Sequence, residues 1–122
     1  MKAILINGSA RANGNTKIAL TRVSNILKSN GIETEIIDLC KLSIHPCNAC
    51  YACSNKGKCI QNDDLNQVFD KLLESKAIIL GSPVYFSNVS SRMQIFIERI
   101  GLMAGGLGKA LKGKVGASVA IA

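Results

Sequence analysis

Four cysteines fall within thirteen residues, Cys47, Cys50, Cys53 and Cys59, as C-x2-C-x2-C-x5-C in the segment CNACYACSNKGKC. Spacers this short gather four thiolates around one small volume and let each sulfur reach a different iron of a cubane iron–sulfur cluster. Two other readings stand beside that one. A structural zinc site also uses four thiolates, although its usual form pairs two knuckles across a longer spacer. Redox-sensing thiols are the third, and three at i, i+3 and i+6 plus a fourth exceed what a disulfide switch needs. Pro46 and Gly57 help bend the segment, and Lys56 and Lys58 would offset the negative charge of a thiolate-bound group. His45 reads as a loop histidine without a role. Cys40, seven residues before the motif, reads as a small buried residue rather than a ligand.

A second constellation sits at the start of the chain, where an apolar run passes into Gly8-Ser9-Ala10-Arg11-Ala12-Asn13-Gly14-Asn15-Thr16. Ser9, Asn15 and Thr16 offer hydroxyl or amide donors, and Arg11 offers a cationic fork. The following helix points its first amides into the loop, so the ingredients of an anion cradle are together. The loop is not G-x-x-x-x-G-K-[ST], which argues against ATP or GTP hydrolysis, nor G-x-G-x-x-G, which argues against a dinucleotide. A plain strand-to-helix turn with no ligand is the alternative. Further on, GSPVYFSN at 81–88 places Tyr85 and Phe86 side by side in a chain with only five aromatic residues. A planar ring system held against this loop would account for them. The alternative is a ring filling the core beneath, which suits Phe86 better than Tyr85. Metal site and phosphate cradle on one domain point to electron transfer through a bound nucleotide-like cofactor.

These loops need a frame, and the periodicity supplies one. Apolar runs at Lys2–Asn7, Glu33–Leu39, Ala77–Gly81 and Val115–Ala122 read as strands. Helical spacing fills the gaps: residues 15–29 with Ala19, Val23, Ile26 and Leu27 on one face and Asn30-Gly31 closing it. A second helix follows Asp63 or Asp64, with Leu65, Val68, Phe69, Leu72 and Leu73 inward. A third runs from Asn88 to about Met103, with Met93, Phe96, Ile97 and Ile100 inward. The glycine-rich stretch MAGGLGKALKGK reads as a linker. Alternating strands and helices imply a parallel sheet with right-handed crossovers. In the order 2-1-3-4 the first and third strands are neighbours, so the loops at Gly8–Thr16 and Ser82–Asn88 converge on one crevice.

The 122 residues suit a single domain, 1–122, with the cysteine loop at about 40–62. A composition of 48% hydrophobic and 19% charged residues is that of a globular chain, and no apolar run approaches a membrane span. The N-terminus reads as a strand, not a secretory leader, so a cytoplasmic protein is expected. The formal charge of +7 raises nucleic acid as a partner, but no aromatic-basic stripe or known motif accompanies it. A solvated basic surface that attracts an acidic redox partner or an anionic cofactor is the better reading.

Three segments together, ILINGSARANGNT, CNACYACSNKGKCIQNDDL and AIILGSPVYFSNVSSRMQIFIER, resemble the flavodoxin-like NADPH-dependent FMN reductase superfamily, in particular its iron–sulfur flavoprotein branch. The resemblance covers nearly the whole chain. It implies a three-layer α/β fold, bound FMN, and a dimer or a tetramer of dimers. By motif, Ser9, Arg11, Asn15 and Thr16 would hold the FMN phosphate. Pro83, Val84, Tyr85, Phe86 and Asn88 would contact ribityl chain and isoalloxazine, and Cys47, Cys50, Cys53 and Cys59 would bind a 4Fe–4S cluster. The function implied is electron transfer by a flavin-dependent oxidoreductase, with NAD(P)H or a carrier such as a ferredoxin as redox partner. An NAD(P)H-dependent FMN or quinone reductase without a cluster, and a non-enzymatic metal-binding remnant, are the rival readings. Relatives of this type continue into a third flavin loop and a fifth strand where this sequence ends, so a shortened member with an exposed fourth strand is the expectation.

Overall fold

Residues 1–122 are described by a computed structural model, in which four parallel strands form one sheet. Strand β1 (Lys2–Asn7) leads into helix α1 (Asn15–Ser29), and β2 (Glu33–Asp38) ends in a 3₁₀ turn, Leu39–Lys41. The cysteine loop follows and contains one short helix, α2 (Cys53–Lys56). Then come α3 (Leu65–Glu74), β3 (Ala77–Pro83), α4 (Ser91–Gly106) and β4 (Val115–Ile121). The strand order is β2-β1-β3-β4, the order expected above, with Leu5 beside both Ile36 and Ile79 in the central register.

Alternation along β1 divides the core in two. Ile4 and Ile6 face α3 and α4, where they join Ile37, Leu39, Val68, Phe69, Leu72, Met93, Phe96 and Ile100. Ala3 and Leu5 face the other way with Ile79 and pack on Leu20 of α1. Glycine is required at two points of this frame. A Cβ on Gly81 would stand 2.8 Å from the Leu20 side chain, and one on Gly8 would stand 2.9 Å from Met93 and 3.2 Å from the Gly81 carbonyl. Strand ends and helices therefore approach closely where the two loops begin.

Several expectations about faces are corrected. The buried stripe of α1 is Thr16, Leu20 and Ser24, so Ile26 points to solvent. The stripe is rotated because two inward positions are polar and hidden from hydrophobic pattern reading; Ser24 is satisfied by Thr34 across the gap to β2. On α4 Ile97 lies outside the buried stripe and is partly exposed, and the buried positions are Met93, Phe96, Arg99, Ile100, Met103 and Ala104. That helix also runs on through Gly105 and Gly106 rather than ending at Met103, and Gly106 packs where no side chain fits: a Cβ there would lie 1.9 Å from the Cys53 carbonyl oxygen. Cys40 sits in the 3₁₀ turn and is half-buried, not a core residue. Strand β4 lies at the sheet edge, with Val115 exposed.

At the carboxyl end of β1, Asn7 donates to Asp38 at the end of β2 (2.9 Å), and Lys17 of α1 bonds both oxygens of that carboxylate (2.9 and 2.8 Å). Burial opposes the Asp38 charge, but the Lys17 and Asn7 hydrogen bonds outweigh it and hold the carboxyl below its ordinary value of 3.8. A depressed carboxyl pKa contributes stability above the unfolded value, and the contribution is lost as pH falls through the lower folded value. Asp38→Asn should therefore lose roughly 1–3 kcal/mol at neutral pH. The deficit should shrink below about pH 4, as urea unfolding at pH 7 and pH 3 would show.

Candidate functional site

The first loop is built around its own backbone. Gly8 donates to the Gly81 carbonyl (2.8 Å), Ser9 N–H to Asn7 Oδ1 (3.1 Å) and Arg11 N–H to Ser9 Oγ (3.0 Å). Ser9 and Thr16 are buried, whereas Arg11 and Asn15 are exposed. Gly14 precedes α1, no side chain caps that helix, and its first turn holds no acid. Arg11 belongs to none of the five ion pairs of the chain. An uncapped fifteen-residue helix with a free guanidinium beside its start favours an anion. The residues present fit a phosphate.

The second loop is fastened to the first. Ser90, the N-cap of α4, accepts from Met93 N–H and donates its hydroxyl to the Gly8 carbonyl, while its own N–H bonds Ser82 Oγ. Beyond Pro83 the chain makes a two-residue tip. Tyr85 and Asn88 exchange both backbone hydrogen bonds (2.9 and 3.0 Å), and Phe86 and Ser87 between them have φ of 50° and 60°. Two positive φ angles define a type I′ turn, normally an Asn-Gly position, so side chains here cost local strain. Phe86 is fully exposed, and Tyr85 and Val84 are about half exposed. Neither ring fills the core; the loop spends strain to hold an aromatic tip in solvent. Asn88 turns its side-chain oxygen to Val89 N–H. A flat, largely apolar ligand beside the first loop fits this arrangement.

All four motif cysteines line one narrow cleft, together with Arg99, Leu102 and Met103 of α4. Cys40 is not part of it. Backbone strain concentrates here as well: Ala49 and Tyr51, on either side of Cys50, have φ of 58° and 56°. Gly57 adopts 61° at the end of α2, where a Cβ would overlap Leu107. Ala49 N–H points to Cys47 Sγ and Gln61 N–H to Cys59 Sγ, each at 3.4 Å. No three His, Cys, Asp or Glu side chains of the chain close on a point where a single metal ion would sit. Four cysteine thiols on one cleft are a donor set suited to an iron–sulfur cluster and to a zinc ion alike.

Sequence reading missed the residues that hold this loop. Arg99 and Asp63 form an ion pair with both side chains 2% exposed. Arg99 bonds both Asp63 oxygens, the His45 carbonyl (2.9 Å) and Cys59 Sγ (3.0 Å). Asp63 accepts in turn from His45 N–H (2.9 Å) and Leu65 N–H (3.2 Å). Burial works against both charges, and their mutual hydrogen bonding overrides it, holding the carboxyl below and the guanidinium above its ordinary range. Two signals were available: an arginine at an inward position of α4, and two adjacent acids of which only one was needed to start α3. His45 takes part through its backbone alone.

The family model for NADPH-dependent FMN reductase matches residues 1–122. The chain belongs to this family. It is 40% identical over 121 residues to an iron–sulfur flavoprotein of Methanocaldococcus jannaschii, covering 99% of this chain and 62% of that one. An iron–sulfur flavoprotein of Archaeoglobus fulgidus matches at 38%, with 99% and 54% covered. The chain thus spans little more than half the length of these curated relatives. Among solved structures, RosB with a bound 8-demethyl-8-formylriboflavin-5'-phosphate superposes with a TM-score of 0.80 at 20% identity, over 98% of this chain and 51% of the other. A flavodoxin from the domain Archaea gives 0.57 at 16% identity, over 98% and 83%. The fold is therefore flavodoxin-like.

Removing one partner of a buried ion pair leaves the other charge stranded, at about 3–5 kcal/mol. Asp63→Ala should reach that range in urea unfolding. Asp64→Ala, which loses one exposed bond to Ser43 N–H, should cost roughly 1 kcal/mol.

Proposed function

We propose that this chain is the FMN-binding, cluster-bearing part of an electron-transfer flavoprotein, an oxidoreductase of the iron–sulfur flavoprotein type. The observation that carries the reading is that one helix, α4, borders both candidate sites. Its N-cap Ser90 clamps the two ligand loops together, and its second half lines the four-cysteine cleft. The relatives named iron–sulfur flavoprotein support the pairing of the two groups.

In this reading Ser9, Arg11, Asn15 and Thr16 hold the FMN phosphate, with the α1 amides supplying the remaining donors. Pro83, Val84, Tyr85, Phe86 and Asn88 bound the ring and its ribityl chain, and the strained tip keeps Tyr85 and Phe86 from collapsing inward. Cys47, Cys50, Cys53 and Cys59 bind a 4Fe–4S cluster, whose charge Lys56 and Lys58 offset from the rim. Bound flavin exchanges one or two electrons and bound cluster one, which lets such a protein couple a two-electron donor to a one-electron acceptor. The family description favours a nicotinamide donor, NAD(P)H. The basic surface suits an acidic one-electron carrier of the ferredoxin class, attracted over a distance set by ionic strength.

Two sets of variants test the assignment. Arg11→Ala should weaken FMN binding by about tenfold or more in a fluorescence titration, since one charge-assisted hydrogen bond contributes roughly 1.5–3 kcal/mol. Surface changes such as Lys28→Ala should leave it unaltered, and equal affinity in the Arg11 variant would remove Arg11 from the site. For the cysteines, Cys53→Ser should abolish iron and acid-labile sulfide in protein prepared without oxygen, while Cys40→Ser should keep both. Stoichiometric zinc with no sulfide would contradict the cluster.

A further inference from the structure

Helix α4 turns an otherwise apolar face to the core, with Met93, Phe96, Ile100 and Met103 inward. Arg99 interrupts it. A buried guanidinium is costly, and pairing with a buried carboxylate offsets that cost at best roughly; apolar residues of similar volume often serve as well. Packing alone therefore gives no reason for the pair. The geometry supplies one, because the guanidinium ends on a sulfur of the four-cysteine cleft.

Four of the five donor hydrogens of the guanidinium are used inside the chain. Nη1 bonds the His45 carbonyl and Asp63 Oδ2, and Nη2 bonds Asp63 Oδ1 and Cys59 Sγ. The fifth, on Nε, is the single buried side-chain nitrogen or oxygen of the chain without a partner. Asp63 is itself fixed by His45 N–H and Leu65 N–H, so the fork cannot turn away from Cys59. Cys59 is thereby set apart from the other three cysteines: it is the one whose sulfur meets a fixed cation, in addition to the Gln61 N–H.

We propose that Arg99 is a positioning residue of the four-cysteine site, locked by Asp63 so that it donates to the Cys59 sulfur and eases one-electron uptake by the bound cluster. The proposal rests on the cluster reading above. Reduction adds one negative charge to the thiolate-ligated group; no bond forms or breaks and no proton moves. Hydrogen bonds and positive charge at the ligand sulfurs stabilise the more negative state, which raises the reduction potential. Asp63 cancels much of the long-range field of Arg99, so what remains is the short-range bond to sulfur. Being buried, it should be insensitive to salt, unlike any contribution from exposed Lys56 and Lys58.

The test is a mediated potentiometric titration with dithionite, read by the electron paramagnetic resonance of the reduced cluster. Arg99→Gln combined with Asp63→Asn removes both charges together and, because the glutamine side chain is two atoms shorter, withdraws the donor from the Cys59 sulfur. With iron and sulfide at wild-type content, its potential should fall by about 59 mV or more, a tenfold change in the one-electron equilibrium. The fall should be the same at low and high salt. Arg99→Lys, which keeps the charge without the planar fork, should lie between wild type and the double variant. A double variant at the wild-type potential overturns the proposal. If that variant holds no iron, a loaded Arg99→Lys at the wild-type potential overturns it equally. Iron and sulfide assays on the wild-type chain separate this outcome from failure of the cluster reading: zinc or no metal there overturns both.

Discussion

The buried pair of Arg99 and Asp63 is the interaction on which the cysteine loop depends. Between the 3₁₀ turn and α3 the chain runs for more than twenty residues with a single four-residue helix of its own. A loop of that length has little apolar burial to order it and must be tied down by specific bonds. Arg99 and Asp63 tie three of its points at once, the His45 backbone, Cys59 and the start of α3. Gly57 and Gly106 then allow α2 and α4 to meet at backbone contact. The loop is thus shaped from outside by α4 rather than from within.

The same helix fixes the other site. Ser90 closes the gap between the ends of β1 and β3, and nine residues further along α4 stands Arg99. At 1.5 Å per residue the two anchors are about 14 Å apart along the helix axis. A rigid helix keeps such a separation constant, which a pair of flexible loops would not. Under the proposed function, that constancy fixes the separation of the two bound groups.

The four strands and the loops that follow the first and third of them were legible in the sequence, because strand runs, glycines and turn residues are local signals. The Cys motif was legible for the same reason. What escaped was tertiary. Thr16 and Ser24 face inward on α1, and hydrophobic periodicity does not register polar residues that find partners such as Thr34. Arg99 stands at an inward position of α4, but its pairing was not legible, since its partner lies 36 positions away. The exposure of Phe86 was undecidable from composition: a phenylalanine is usually core, and only the positive φ angles of the tip show why this one is not.

The central claim is that one chain of this fold carries both a flavin and an iron–sulfur cluster. An anaerobic reductive titration of the protein loaded with both groups counts the electrons directly. The account predicts about three electron equivalents per chain, two taken up by FMN and one by the cluster. An end point at about two equivalents, with iron and sulfide absent, would contradict it.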